Sequence, residues 1–266
     1  MRFVSDFLVL TIAEVRKYYR WKERIIWDIF GTLAFLLSFL LVWGAVFSSG
    51  SVEIGGLNKD NYVIFLVTGS LLWPAIGICL GPLSSAFVRE KYHRSSTYFF
   101  LSPASRFAFL FAKAVASMVE VLFTSIVILI LILFFCEFTF KGSLLLAGLV
   151  FLLTFLSFSG VGMTLAVLGA WREGISEVSY ILSEVLMLLS GVFYPLEVFP
   201  ESVRVFCKVL PTTQAINTLR AIGMEGATLS QIMPQIIYLA VFSIISISIA
   251  YFAFRHIEKK AMLIGI

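Results

Sequence analysis

Charge is scarce in this 266-residue sequence: Asp, Glu, Lys and Arg together make up 14%, against about 25% in soluble domains. Histidine is scarcer, with only His93 in a basic stretch and His256 near the carboxyl end, and neither stands in an H-E-x-x-H pair. Zinc-assisted hydrolysis of that kind is therefore excluded. No G-x-x-x-x-G-K-[ST] loop occurs, so the chain lacks that cradle for a nucleoside triphosphate. The three cysteines, Cys79, Cys136 and Cys207, lie far apart without a C-x-x-C pair. An odd, scattered set cannot close into a full disulfide framework and reads as packing residues. There is no soluble-looking domain, low-complexity tract or internal repeat. A cleaved secretory leader is not expected, because charges run through the first 24 residues and the apolar run that follows is long enough to span. The amino terminus is expected to be retained.

What is abundant is apolar: 60% of the residues. That excess comes in blocks of about 20 residues, the length a helix needs to cross ~30 Å of hydrocarbon with its backbone groups satisfied internally. The expected spans are 25–47, 62–87, 107–135, 142–168, 176–193 and 232–254. Residues 3–24 mix Phe3, Phe7, Leu8, Ile12, Val15 and Tyr19 with Arg16, Lys17, Arg20, Lys22 and Arg24. This is the pattern of an amphipathic helix lying in the interface plane. Lys and Arg divide fifteen to five between the two sides these spans define, which predicts both termini and the 88–106 loop in the cytoplasm. The net charge of +4 sits beside the spans, where it meets anionic lipid and sets topology rather than binding nucleic acid.

Candidate chemistry is thin. Ser157-Phe158-Ser159-Gly160 is similar to the serine motif of intramembrane proteases, but no histidine lies inside any span to serve as base. These small residues, with Gly162 and Ala166, read as sites of close helix packing, as do Gly77 and Gly81 in their G-x-x-x-G spacing. The sharper signals are Glu120 and Glu184, near the middles of the third and fifth spans. A charged carboxylate facing lipid costs ~2.5–3.5 kcal/mol or more, so each must face protein or a water-filled path. Translocation-path residue and helix-to-helix hydrogen bond both remain open for them.

Two loops carry a family resemblance. The loop after the second span runs from Arg89-Glu90-Lys91 through Phe99-Phe100 to Ser102-Pro103 and Arg106. It is charged, then amphipathic, then broken at Pro103, as suits a short helix across the cytoplasmic face. Beyond the fifth span, Gly191, Pro195, Pro200, Pro211 and Arg220 punctuate a stretch whose prolines cut it into helices too short to cross. Both loops resemble those of the type 2 ABC transporter permeases, the membrane domains of exporters. Arg94-Ser95 stand where that family usually has Gly-Thr, and Thr97 where it has an acidic residue. The proline-rich ending looks more like the drug, antibiotic and nodulation-factor branch than the polysaccharide branch.

The resemblance implies an all-α integral membrane protein with six transmembrane helices, an amino-terminal interfacial helix over 1–24 and a re-entrant helical pair before the last span. The chain would form one permease domain over 1–266, with a cytoplasmic docking loop at 88–106 and an extracytoplasmic re-entrant region at 194–231. Arg89, Glu90, Lys91, Phe99, Phe100, Pro103 and Arg106 would dock an ATPase subunit; Gly191, Pro195, Pro200, Pro211 and Arg220 would shape the re-entrant region. Partners would be that ATPase, a second permease protomer, identical or not, and membrane lipid. ATP and Mg would be bound by the ATPase, with no cofactor, metal or catalytic group on this chain. The expected role is export across the cell membrane. The competing expectations are a secondary transporter that couples to ions through Glu120 or Glu184, and a membrane-embedded enzyme or assembly factor.

Overall fold

The computed structural model describes residues 2–20, 22–48, 55–59, 61–92, 106–135, 140–172 and 174–264. Among them all regular structure is helical: α1 (Arg2–Arg20), α2 (Lys22–Ser48), α3 (Tyr62–Ile78), α4 (Ala86–Tyr92), α5 (Arg106–Phe135), α6 (Leu144–Trp171), α7 (Ile175–Leu189), α8 (Glu201–Val209), α9 (Pro211–Arg220) and α10 (Leu229–Ile264). Five segments among the described residues are long and apolar enough to cross a membrane: Ile25–Ser48, Tyr62–Leu83, Ala108–Phe134, Leu144–Trp171 and Leu229–Ile257, with mean hydropathy of 2.2 to 2.6. Helix is the form such runs must take where no water is at hand to satisfy the backbone.

The expected span over 176–193 is shorter than drawn. Helix α7 has 15 residues, about 22 Å at 1.5 Å per residue, which falls short of the ~30 Å core. It stops because Gly191 takes a left-handed backbone, φ +67°, a conformation open to glycine that terminates a helix. The second span is also not one uniform helix. Pro82, which has no N–H to donate, sits in a wide π-type turn over Cys79–Leu83, and the chain restarts as the short α4.

Helix α3 forms the centre of the bundle, with 67% of its most apolar window buried, while only 6% of the corresponding window of α2 is. Leu66, Leu72, Ile76, Leu80 and Leu83 are almost completely enclosed. Against this core α6 and α10 cross closely. A side chain at Gly160 would collide with the backbone at Ser246, and the Ser157 and Ser243 hydroxyls are 2.8 Å apart. Gly162 likewise lies on the carbonyl of Cys79. The small residues thus do what small residues do between apolar helices, letting backbones approach and hydroxyls bond across. Gly81 fits the same reading, lying beneath the Tyr180 ring, but Gly77 meets no other helix. Large apolar side chains face outward, among them Leu41, Phe134 and Leu145 at 74%, 83% and 79% exposure. With five long apolar helices, a surface of this kind makes the chain a multi-pass membrane protein.

Helix α1 packs along α5. Glu14 on its inner face meets Lys113 at 2.7 Å, and the Tyr19 ring stands edge-on to Phe123. Its outer face presents Leu8, Val9 and Ile12 together with Arg16 and Arg20.

Candidate functional site

A cleft of about 410 Å³ opens between α2, α3, α5 and α7. Its walls bring together three carboxylates far apart in sequence: Asp28 from α2, Glu120 from α5 and Glu184 from α7. Glu120 stands 14 residues past the start of α5, about 21 Å along that helix, and is 91% buried, being 9% exposed. Glu184 is an exposed residue and lines the cleft. The two carboxylates picked out by sequence therefore share one wall-lined space. Asp28 was missed, although it falls inside the first expected span; it lies only three residues past that span's start, where a charge draws less notice. Phe35, Trp73 and Phe193 supply aromatic surface. The wall hydroxyls are turned to their own helices: Thr32 donates to the carbonyl of Asp28, Ser70 to that of Val67 and Thr124 to those of Glu120 and Val121. Hydroxyls so engaged offer a ligand no free donor hydrogen.

Beside the end of the cleft lined by Phe193 sits a clamp. Arg220, at the end of α9, is 93% buried, being 7% exposed. Its guanidinium donates from Nη2 to the carbonyls of Gly191 and Val192, each at 2.8 Å, and lies 3.4 Å from the centre of the Phe65 ring. The next carbonyl, of Phe193, accepts from the Trp43 indole at 2.9 Å. These carbonyls follow the carboxyl end of α7, where the helix dipole is negative, so a buried cation is well placed there. Gly69 on α3 lets the turn approach, since a side chain there would strike the Val192 carbonyl. Of the residues expected to act together here, Gly191 and Arg220 are in direct contact. Pro195 packs on Gly55, which has φ +57°. Pro200 precedes α8 and Pro211 opens α9, positions where a missing N–H costs nothing.

At the other end, α4 leads out of the π-type turn and carries Arg89 and Glu90. Arg89 donates to the Tyr180 hydroxyl on α7 at 2.8 Å. Glu90 faces Lys17 of α1 at 3.4 Å. Tyr180 precedes Glu184 by one helical turn on α7, so the two share a face. Tyr180 was not singled out by sequence, and Lys17 only as a basic residue of the amphipathic helix. Lys91 lies in α4 and Arg106 begins α5; their side chains, and Phe99, Phe100 and Pro103 altogether, lie outside the described residues.

No curated protein matches the chain. The family model described as ABC-2 type transporter matches residues 5–224, which takes in α1, the cleft and the Arg220 clamp.

Proposed function

The chain belongs to the ABC-2 type transporter family and is a membrane subunit of an ABC transporter, and we propose that it drives export, moving its substrate outward on ATP hydrolysed by a separate ATPase. The observation that carries this reading is the bond from Arg89 to Tyr180. It ties the start of the 88–106 loop to the helix that brings Glu184 into the cleft. An ATPase gripping that loop through Glu90, Phe99 and Phe100 would move α4. Arg89 would carry the motion to α7, and the Tyr180 ring seated on Gly81 would pass it to the π-type turn. The cleft then changes shape between inward and outward states, and substrate is carried by its different affinity for the two. ATP and Mg belong to the ATPase.

The topology that suits this mechanism has both termini in the cytoplasm and six crossings, the short one being α7 extended by residues 190–193. In support, Tyr180 near the start of α7 lies on Gly81 while Val192 beyond its end lies on Gly69, so α7 runs antiparallel to α3 over most of its length. A re-entrant path for α8 and α9 is supported by Tyr238, nine residues into α10, which donates to the Val209 carbonyl at 2.6 Å. The far end of the pair returns to the loop before α6, where the Lys141 amide donates to Gly223 at 2.9 Å. Helix α1, packed along α5, would turn the basic residues of its outer face toward anionic lipid on the cytoplasmic side. The sparsely covered α2 would meet lipid or a second protomer.

Purification in mild detergent tests the assembly. An ATPase is expected to accompany the chain, and replacing Glu90, Phe99 and Phe100 together is expected to release it. The gathering of three carboxylates in one cleft also suits an ion-coupled secondary transporter. A protonophore added while ATP is held constant separates the two: transport persists in the ATP-driven reading and stops in the other.

A further inference from the structure

We propose that a second cavity, between α9 and α10, binds a neutral sugar. The proposal goes beyond the transporter reading and does not rest on it. The sequence contains three glutamines, Gln214, Gln231 and Gln235, and all three line this cavity of about 390 Å³, a volume within the ~300–1,000 Å³ of small-molecule sites. Asn217, Thr218 and Glu225 complete its polar wall. Spacing explains the gathering: Asn217 and Thr218 follow Gln214 by three and four residues on α9, and Gln235 follows Gln231 by four on α10, so each set shares one face of its helix. Part of the wall is already engaged. Gln214 donates from Nε2 to the Lys208 carbonyl at 2.6 Å, Thr218 donates to the Gln214 carbonyl at 2.6 Å, and the Gln231 oxygen accepts from the Thr228 amide at 2.8 Å. These bonds hold the Gln214 and Gln231 side chains in place and leave the oxygen of the first and the NH2 group of the second unspent among the described residues. The Gln235 oxygen is buried with no hydrogen-bond partner among them, a state that costs free energy until a donor reaches it. The wall therefore offers donors and acceptors together. A hydroxyl answers both, since it donates one hydrogen and accepts at two lone pairs, and a sugar ring repeats that group at fixed spacing. Other guests fit less well. An anion meets Glu225 and no Lys, Arg or His among the lining residues, and an organic cation meets one exposed carboxylate and no aromatic face. An apolar guest finds only Ala221, Ala227 and Ile232.

Saturation-transfer NMR tests this on the full chain, purified with whatever subunit accompanies it and placed in phosphatidylcholine nanodiscs, with empty discs subtracted. The probes are the neutral trisaccharides maltotriose, mannotriose and galactotriose, set against glucose 6-phosphate, choline and a capped triglycine as anionic, cationic and amide counterparts. Saturable transfer to at least one trisaccharide and to none of the counterparts is expected, with affinity lowered about tenfold by Gln235→Leu and by Asn217→Ala. Gln235→Leu should also melt at or above the parent's temperature, because it deletes a buried oxygen that has no partner. Asn217 is exposed, so its variant carries the comparison if the leucine chain does not fold. Transfer to no trisaccharide, equal transfer to a counterpart, or trisaccharide binding that neither variant weakens would each overturn the proposal. So would a Gln235→Leu chain that melts lower yet keeps its binding, which would make Gln235 a structural residue. Adding a monogalactosyl diacylglycerol to the discs separates two sources of the same chemistry: displacement of the trisaccharide identifies a lipid-borne sugar, and no displacement identifies a free one. No step of the measurement uses ATP, so its failure leaves the transporter reading standing, and a chain that purifies without an ATPase leaves this proposal standing.

Discussion

The Arg220 clamp and the carboxylate cleft beside it handle the same difficulty, charge set among apolar helices, in opposite ways. Arg220 is enclosed, its Nη2 shared between two carbonyls and its plane laid on Phe65. Glu184 faces open space in a wall that offers it no basic side chain among the described residues. A buried charge held by carbonyls and a ring ties elements together, whereas one facing a cavity is positioned for something that arrives from outside. The difference separates a structural joint, which fixes the turn after α7 onto α3, from a surface prepared for a guest.

The contrast is broken most directly at the joint. Arg220→Ala leaves the Gly191 and Val192 carbonyls without their donor, and the loss is expected to reach about 3 kcal/mol or more. It would be read as a large drop in the detergent melting temperature. Arg220→Lys should recover part of it, since an ammonium cannot fork to two carbonyls and lie flat on a ring at once. A variant that melts like the parent but no longer transports would make Arg220 a functional residue and erase the distinction.

Tyr180→Phe is milder. It removes the bond to Arg89 while keeping the ring on Gly81, so stability should fall by about 1 kcal/mol or less. Substrate-stimulated ATP hydrolysis should fall well beyond that cost, because the link between loop and cleft is cut. Stimulation unchanged in this variant would show that the coupling runs elsewhere. The smallest effect on folding is expected at the cleft: Glu184→Gln should change stability by no more than about 0.5 kcal/mol while transport is lost. A strongly destabilised Glu184→Gln would instead place that carboxylate among the structural charges.

Elements written locally were legible in the sequence. The long apolar runs, the small residues at Ser157, Gly160 and Gly162, and the carboxylates Glu120 and Glu184 all follow from composition and position along a span. The early stop of α7 was harder, because Gly191 in an apolar run looks like any other membrane glycine until neighbours impose its left-handed turn. Associations between distant segments left no trace to follow. Arg89 and Tyr180 are 91 residues apart, and Lys17 and Glu90 are 73 apart; no periodicity connects them. For the same reason Asp28 could not be joined to Glu120 and Glu184 before the helices carrying them were seen side by side.

On the proposed mechanism this chain transports only when a nucleotide-hydrolysing partner grips the loop at 88–106. Proteoliposomes prepared with the chain alone, and with chain plus co-purified ATPase, measure it directly by uptake of a labelled substrate upon ATP addition. Uptake is expected only with the ATPase and ATP present. Full-rate movement against a gradient by the chain alone would contradict the account.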